Sequence, residues 1–147
     1  MNLQCLQAEG RLRPHKATKK EILALLALAA RDLKDASVEE LSIDRRFMIA
    51  YDAGLTLATI PLYCAGLETH GKGHHWLTFK LLPEVMGETP ADLADYFDQC
   101  RIKRNIGAYD RGGLISEAEV TELIKEVGLF RNSVTSWLKD RHPDLID

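Results

Sequence analysis

The sequence predicts an all-α fold, an antiparallel bundle of about five helices, and three observations predict it. Four places pair a Ser or Thr with an acidic residue three positions on: Thr18 with Glu21, Ser37 with Glu40, Thr89 with Asp92, and Ser116 with Glu119. At that spacing a hydroxyl caps the first helical turn and a carboxylate reaches back to it. Behind each of them, apolar residues recur at helical intervals. No segment alternates apolar and polar residues over enough length for a strand.

Residues before Thr18 lack such a pattern and are expected to form a mobile arm, so the folded domain is placed at 18–141. The first helix starts at Thr18 and sets Ile22, Leu25, Leu26, Ala29 and Leu33 on one face. A second runs from about Val38 to Gly66 with Phe47, Tyr51, Leu55, Ala58 and Leu62 in register, and Pro61 is expected to kink it near its end. A glycine-rich connection, Gly66 to Gly73, leads to a short helix from His74 to Val85, stopped near Gly87. The next begins at Thr89, where Pro90 suits a first helical position, and carries Leu93, Phe97 and Cys100. The last, from Ser116 to about Asp140, has the cleanest apolar stripe: Val120, Leu123, Ile124, Val127, Phe130, Val134, Trp137 and Leu138. The tail at 142–147 contains Pro143 and is expected to fray.

Composition narrows the function classes. A chain of 147 residues, 46% hydrophobic and 28% charged, can bury a core without disulfides or metal. A net charge of -3 gives no overall basic field, so any nucleic-acid contact has to rest on local clusters. Cys5, Cys64 and Cys100 have neither zinc-ligand spacing nor an even count for disulfides, and Cys64 and Cys100, in apolar helical stretches, read as reduced core residues. Met1 to Gly10 has no signal-peptide pattern, and the most apolar run, Ile22 to Ala30, is too short for a bilayer. The expected location is the cytoplasm, with no membrane partner.

Three signals bear on chemistry. Gly66 to Gly73 nearly matches a phosphate-binding P-loop, but Gly73 stands where magnesium needs a hydroxyl, and a helix precedes where a strand is required. His70, His74 and His75 are the only histidine cluster, and the glycines among them argue against a metal-binding helix face. Two basic clusters stand out: Arg11, Arg13, His15, Lys16, Lys19 and Lys20, read as a solvated helix end, and Arg101, Lys103, Arg104 and Arg111. In the second, Arg104 lies one turn beyond Cys100 and two beyond Phe97, close to the apolar seam. An arginine there needs a partner, an acidic side chain inside the bundle or a phosphate.

Arg104, Asn105 and, after three more residues, Tyr109 resemble the motif of the HEPN superfamily, small helical domains that include ribonuclease toxins and phage-defence effectors. The wider pattern from Asp44 to Leu145 is similar too: Arg45-Arg46-Phe47 with Tyr51-Asp52-Ala53, Gly73-His74-His75, and Trp137-Leu138 in the final helix. The resemblance implies a homodimer in which Arg and His of two subunits meet. Arg would stabilise phosphate charge and His would move protons while the RNA 2′-hydroxyl attacks, with no metal or cofactor. It also implies a small nucleotidyltransferase-type antitoxin as partner. The implied catalytic residues are Arg104, Asn105 and Tyr109, with Arg101, Lys103 and Arg111 on phosphate.

Tyr109 departs from that motif, which has His there. With an ordinary pKa of about 10, roughly one tyrosine in a thousand is ionised at neutral pH. Three routes stay open: a domain that binds RNA, a nucleotide or a nucleotidyltransferase without cutting; proton transfer by His74 or His75; or Tyr109 itself. A further reading is an unrelated helical interaction domain, with Arg104 paired to a carboxylate such as Asp52.

Overall fold

The computed structural model describes residues 2–87, 92–109 and 115–147, with 106–109 described as backbone. In chain order the elements are α1 (Leu3–Ala8), β1 (Leu12–Pro14), α2 (Lys19–Ala36), α3 (Ile43–Cys64), β2 (Leu67–Thr69), α4 (His74–Lys80), α5 (Leu82–Met86), α6 (Leu93–Tyr109), α7 (Glu117–Arg141) and a 3-10 turn at Pro143–Leu145. The fold is an all-α helical bundle carrying one two-stranded ribbon.

Two of the capping signals are realised. Thr18 Oγ1 accepts the Glu21 amide at 3.2 Å. Ser116 and Glu119 form a complete capping box, hydroxyl to amide at 3.1 Å and carboxylate to amide at 3.0 Å. The Thr89 signal lies outside the described residues. Ser37 does not start a helix: it ends α2, donating its hydroxyl to the Leu33 carbonyl at 3.0 Å. The chain turns through Val38–Leu41, and Ser42 caps α3 by accepting the Arg45 amide at 3.3 Å. The true start has Arg45 where a capping box has an acid, and Asp44 supplies the first-turn negative charge instead.

α3 is the central element, packed against α2, α7, α6, α4, α5 and β2. It is long and apolar enough to cross a membrane, which Ile22–Ala30 is not, yet its large side chains Phe47, Tyr51, Leu57, Ile60 and Leu62 are buried within the bundle. A Cβ on Gly54 would lie 2.8 Å from Cε1 of Phe97 and 3.3 Å from Val127, so a bare glycine lets α6 and α7 close on α3. Phe97 in turn stacks on Phe79 of α4, ring centroids 4.5 Å apart and 7° from parallel. The predicted single helix after His74 is two, broken at Leu81, with Pro83 in the first turn of α5 and Gly87 ending it at φ +82°.

The N-terminal residues are structured rather than a loose arm. Leu6 and Leu12 are buried, and β1 pairs antiparallel with β2 in the register Leu12↔Thr69, Arg13↔Glu68, Pro14↔Leu67. Strands of three residues are too short to show alternation, which is why the sequence gives no sign of them. His15 fastens the ribbon to the bundle. Its ring stacks on Tyr63 at 3.7 Å, and its two nitrogens meet Glu68 at 3.2 Å and Glu21 at 2.7 Å. The expected frayed tail is likewise packed: Pro143 starts a 3-10 turn, Leu145 and Ile146 lie against the core, and His142 meets the Trp137 ring at 4.9 Å. Gly66–Gly73 therefore spans β2 and the turn into α4 rather than one open loop, with Gly71 and Gly73 at positive φ.

A candidate phosphate site on α3, α4 and α6

α6 presents Arg101 and Arg104 three residues apart, and therefore on one face. Arg104 Nε donates to Asp52 Oδ1 of α3 at 3.1 Å. Its guanidinium carbon stands 5.6 Å from the centre of the Tyr51 ring, the geometry of a cation–π contact. Arg101 Nε donates in the same way to Asp98 Oδ1 at 2.9 Å. Among the described residues each guanidinium meets its carboxylate through Nε alone, and both side chains keep part of their surface in solvent, 25% for Arg104 and 32% for Arg101. Among the described residues the outer fork of each arginine makes no hydrogen bond.

Beneath Arg104, Tyr51 is fully buried and shares a 3.2 Å hydrogen bond with Nδ1 of His75 at the start of α4. Burial holds the Tyr51 hydroxyl in its protonated form against the pull of Arg104 and Arg101. Burial also lowers the His75 imidazole to about 4, helped by the neighbouring His74, Arg104 and Arg101. His75 is thus neutral at physiological pH. The Asp52 carboxyl is raised by burial, and Arg104 opposes the rise through its charge and its hydrogen bond. His74 is exposed and meets His75 edge to face, ring centroids 4.5 Å apart.

The structure therefore gathers Arg101, Arg104, His75 and His74 around Tyr51 and Asp52, and it separates others. Lys103 turns to α7, where it pairs with Glu119 beside a 230 Å³ cavity that Phe47, Tyr96 and Cys100 also line. Asn105 is half-buried and makes no side-chain hydrogen bond among the described residues. The backbone of Tyr109 ends α6, while its side chain and Arg111 lie outside the described residues. The N-terminal basic cluster stands on β1 and the start of α2, which pack on β2, α3 and α7 rather than on α6.

No metal-binding group of three His, Cys, Asp or Glu side chains occurs among the described residues. His70 instead meets the Arg13 guanidinium at 2.5 Å. Burial raises the thiols of Cys64 and Cys100 to about 11, which makes both poor nucleophiles at neutral pH. Sequence reasoning missed Asp98, although its signal was present: an acidic residue placed one turn before Arg101. No protein-family model, curated protein or solved structure matches the chain.

Proposed function

We propose that the α3–α4–α6 cluster holds a phosphate of RNA, and that this chain is an HEPN-like RNA-binding domain. The observation that carries the reading is the pair of arginines anchored through Nε, each with part of its side chain open to solvent and no further hydrogen bond from its terminal nitrogens among the described residues. A guanidinium binds phosphate with two parallel N–H donors, and anchoring Nε beforehand reduces the side-chain entropy lost on binding. Asp52 and Asp98 act as positioning residues.

A second reading, a metal-independent endoribonuclease of toxin or phage-defence type, is favoured by the neutral His75 beside this cluster. In that reaction the 2′-oxygen attacks phosphorus as its proton passes to a base, and the 5′-oxygen leaves with a proton. At a pKa of about 4 His75 is a weak base, so the binding reading comes first. A second copy of the chain and a nucleotidyltransferase-type antitoxin are the partners this reading brings with it. The cytoplasm is the matching location.

Binding of single-stranded RNA, followed by fluorescence anisotropy with a chelator present, tests both readings. Arg104→Ala is expected to weaken binding by roughly tenfold to a hundredfold, the worth of a charged hydrogen-bond pair, while Arg104→Lys restores only part of it. Because the Arg104–Asp52 pair is partly exposed, Arg104→Ala should cost less than about 1 kcal/mol of stability. Lost stability with unchanged RNA binding would instead make Arg104 an internal partner of Asp52 in a helical interaction domain. Cleavage products that vanish in both Arg104→Ala and His75→Ala would establish the nuclease.

A further inference from the structure

We propose that the pocket between α3, β2 and α4 is a nucleobase subsite, selective for bases that carry an exocyclic amino group. The inference rests on the phosphate reading of Arg104 and adds to it the part of the nucleotide that is recognised.

The pocket has a volume of about 280 Å³, walled on its apolar side by Leu55, Leu62 and Leu67 and on its polar side by Thr59, Glu68 and His74. That size lies at the small end of ligand pockets and suits one planar ring system rather than a larger ligand. A base has apolar faces and a polar edge, and this lining offers both.

Its place relative to the arginines follows from helix geometry. Asp52, Leu55 and Thr59 share one face of α3, and Leu55 lies about 4.5 Å along the axis from Asp52. On α4 the neighbours divide the work: His75 meets Tyr51 under Arg104, while His74 lines the pocket. The two imidazoles touch edge to face at 4.5 Å. Phosphate site and pocket therefore share a wall, as the base and phosphate of one nucleotide require.

The selectivity comes from proton bookkeeping among the hydroxyls. Thr59 donates to the Leu55 carbonyl at 2.9 Å, and Thr78 donates to the His74 carbonyl at 2.7 Å. Thr69, 2.6 Å from Thr78, is then the donor in that pair. The three threonine hydroxyls of the pocket have their protons committed and offer only lone pairs to a ligand, beside a fourth hydroxyl, on Tyr63, that makes no such hydrogen bond among the described residues. The Glu68 carboxylate is likewise an acceptor. An acceptor-rich wall pairs with the exocyclic amino groups of guanine, adenine or cytosine, which uracil lacks. Uracil offers it a single N–H flanked by two carbonyl oxygens, which meet acceptors.

Calorimetric titration of the full chain with GMP, AMP, CMP, UMP and ribose 5-phosphate tests the proposal. Amino-bearing nucleotides are expected to bind at least about tenfold more tightly than UMP or ribose 5-phosphate, a difference of one good polar contact. Thr59→Leu, which fills the pocket, should reduce every nucleotide to the affinity of ribose 5-phosphate. Glu68→Gln keeps an acceptor for His15 and adds a donor, so it should narrow the margin over UMP. Equal binding of all five ligands, untouched by Thr59→Leu but lost in Arg104→Ala, overturns the base subsite and leaves the phosphate site. Selective binding lost in Thr59→Leu yet unchanged in Arg104→Ala keeps the pocket and overturns the phosphate reading. No binding of any ligand by folded wild type overturns both.

Discussion

His75 couples the site to pH through its own burial. The unfolded chain holds this imidazole near its ordinary value of 6.5, whereas the folded chain lowers it to about 4. Between those values the unfolded state binds more protons, so stability is complete above 6.5 and drains away as pH falls toward 4. His75→Asn should remove that part of the acid sensitivity, narrowing the stability difference between about pH 7.5 and about pH 4.5 by roughly 1–2 kcal/mol once partial exposure is allowed for. Urea midpoints at the two pH values read it, and an unchanged difference would place the acid sensitivity in other groups. At this scale the sequence was legible where a charge broke an apolar pattern. Arg104 beside the seam called for an acidic side chain or a phosphate, with Asp52 one candidate, and these two meet at 3.1 Å. Lys103 was not legible, because its long stem reaches Glu119 on α7 across an angle that only the packed helices define.

The helices owe their mutual distance to Gly54. A helix-interior glycine normally costs about 1 kcal/mol relative to alanine, so Gly54→Ala would be stabilising in an isolated helix. Here the added methyl meets Phe97 at 2.8 Å, and Phe97 is pinned in turn by its stack on Phe79. The expected outcome is a net loss of about 1–3 kcal/mol, measured by chemical denaturation, with α6 displaced. A stability gain would mean that Phe97 yields freely. Helix existence was readable from apolar periodicity, and two starts from their capping pairs, because both signals are local. The start of α3 was not: Ser37 and Ser42 are both competent caps, and the choice between them depends on where the turn at Val38–Leu41 lets α3 reach the core. The break at Leu81 between α4 and α5 has a local cause, Pro83, whose ring suits the first turn of a new helix and not the interior of a continuing one.

At the scale of the molecule, the N-terminal segment completes the bundle. Leu12 and Leu6 cover the base of the ribbon, and His15 ties β1 to Glu68 of β2 and Glu21 of α2. Deleting residues 2–14 should strip hydrogen-exchange protection from Leu67–Thr69 while α3 and α7 keep theirs. Loss of protection throughout would mean that the whole bundle depends on the ribbon. The fold class was legible because periodicity is repeated in every long segment, whereas the ribbon depends on two short stretches far apart in the chain. That separation sets an order in time. Pairing residue 12 with residue 69 closes a loop of roughly 57 residues, at an entropic cost of about 3–4 kcal/mol. During synthesis at roughly 5–20 residues per second, Leu12 waits about 3–11 s for its partner to be made. Leu12 thus settles well after it is made, and the wall that β2 gives the 280 Å³ pocket is finished only when it does.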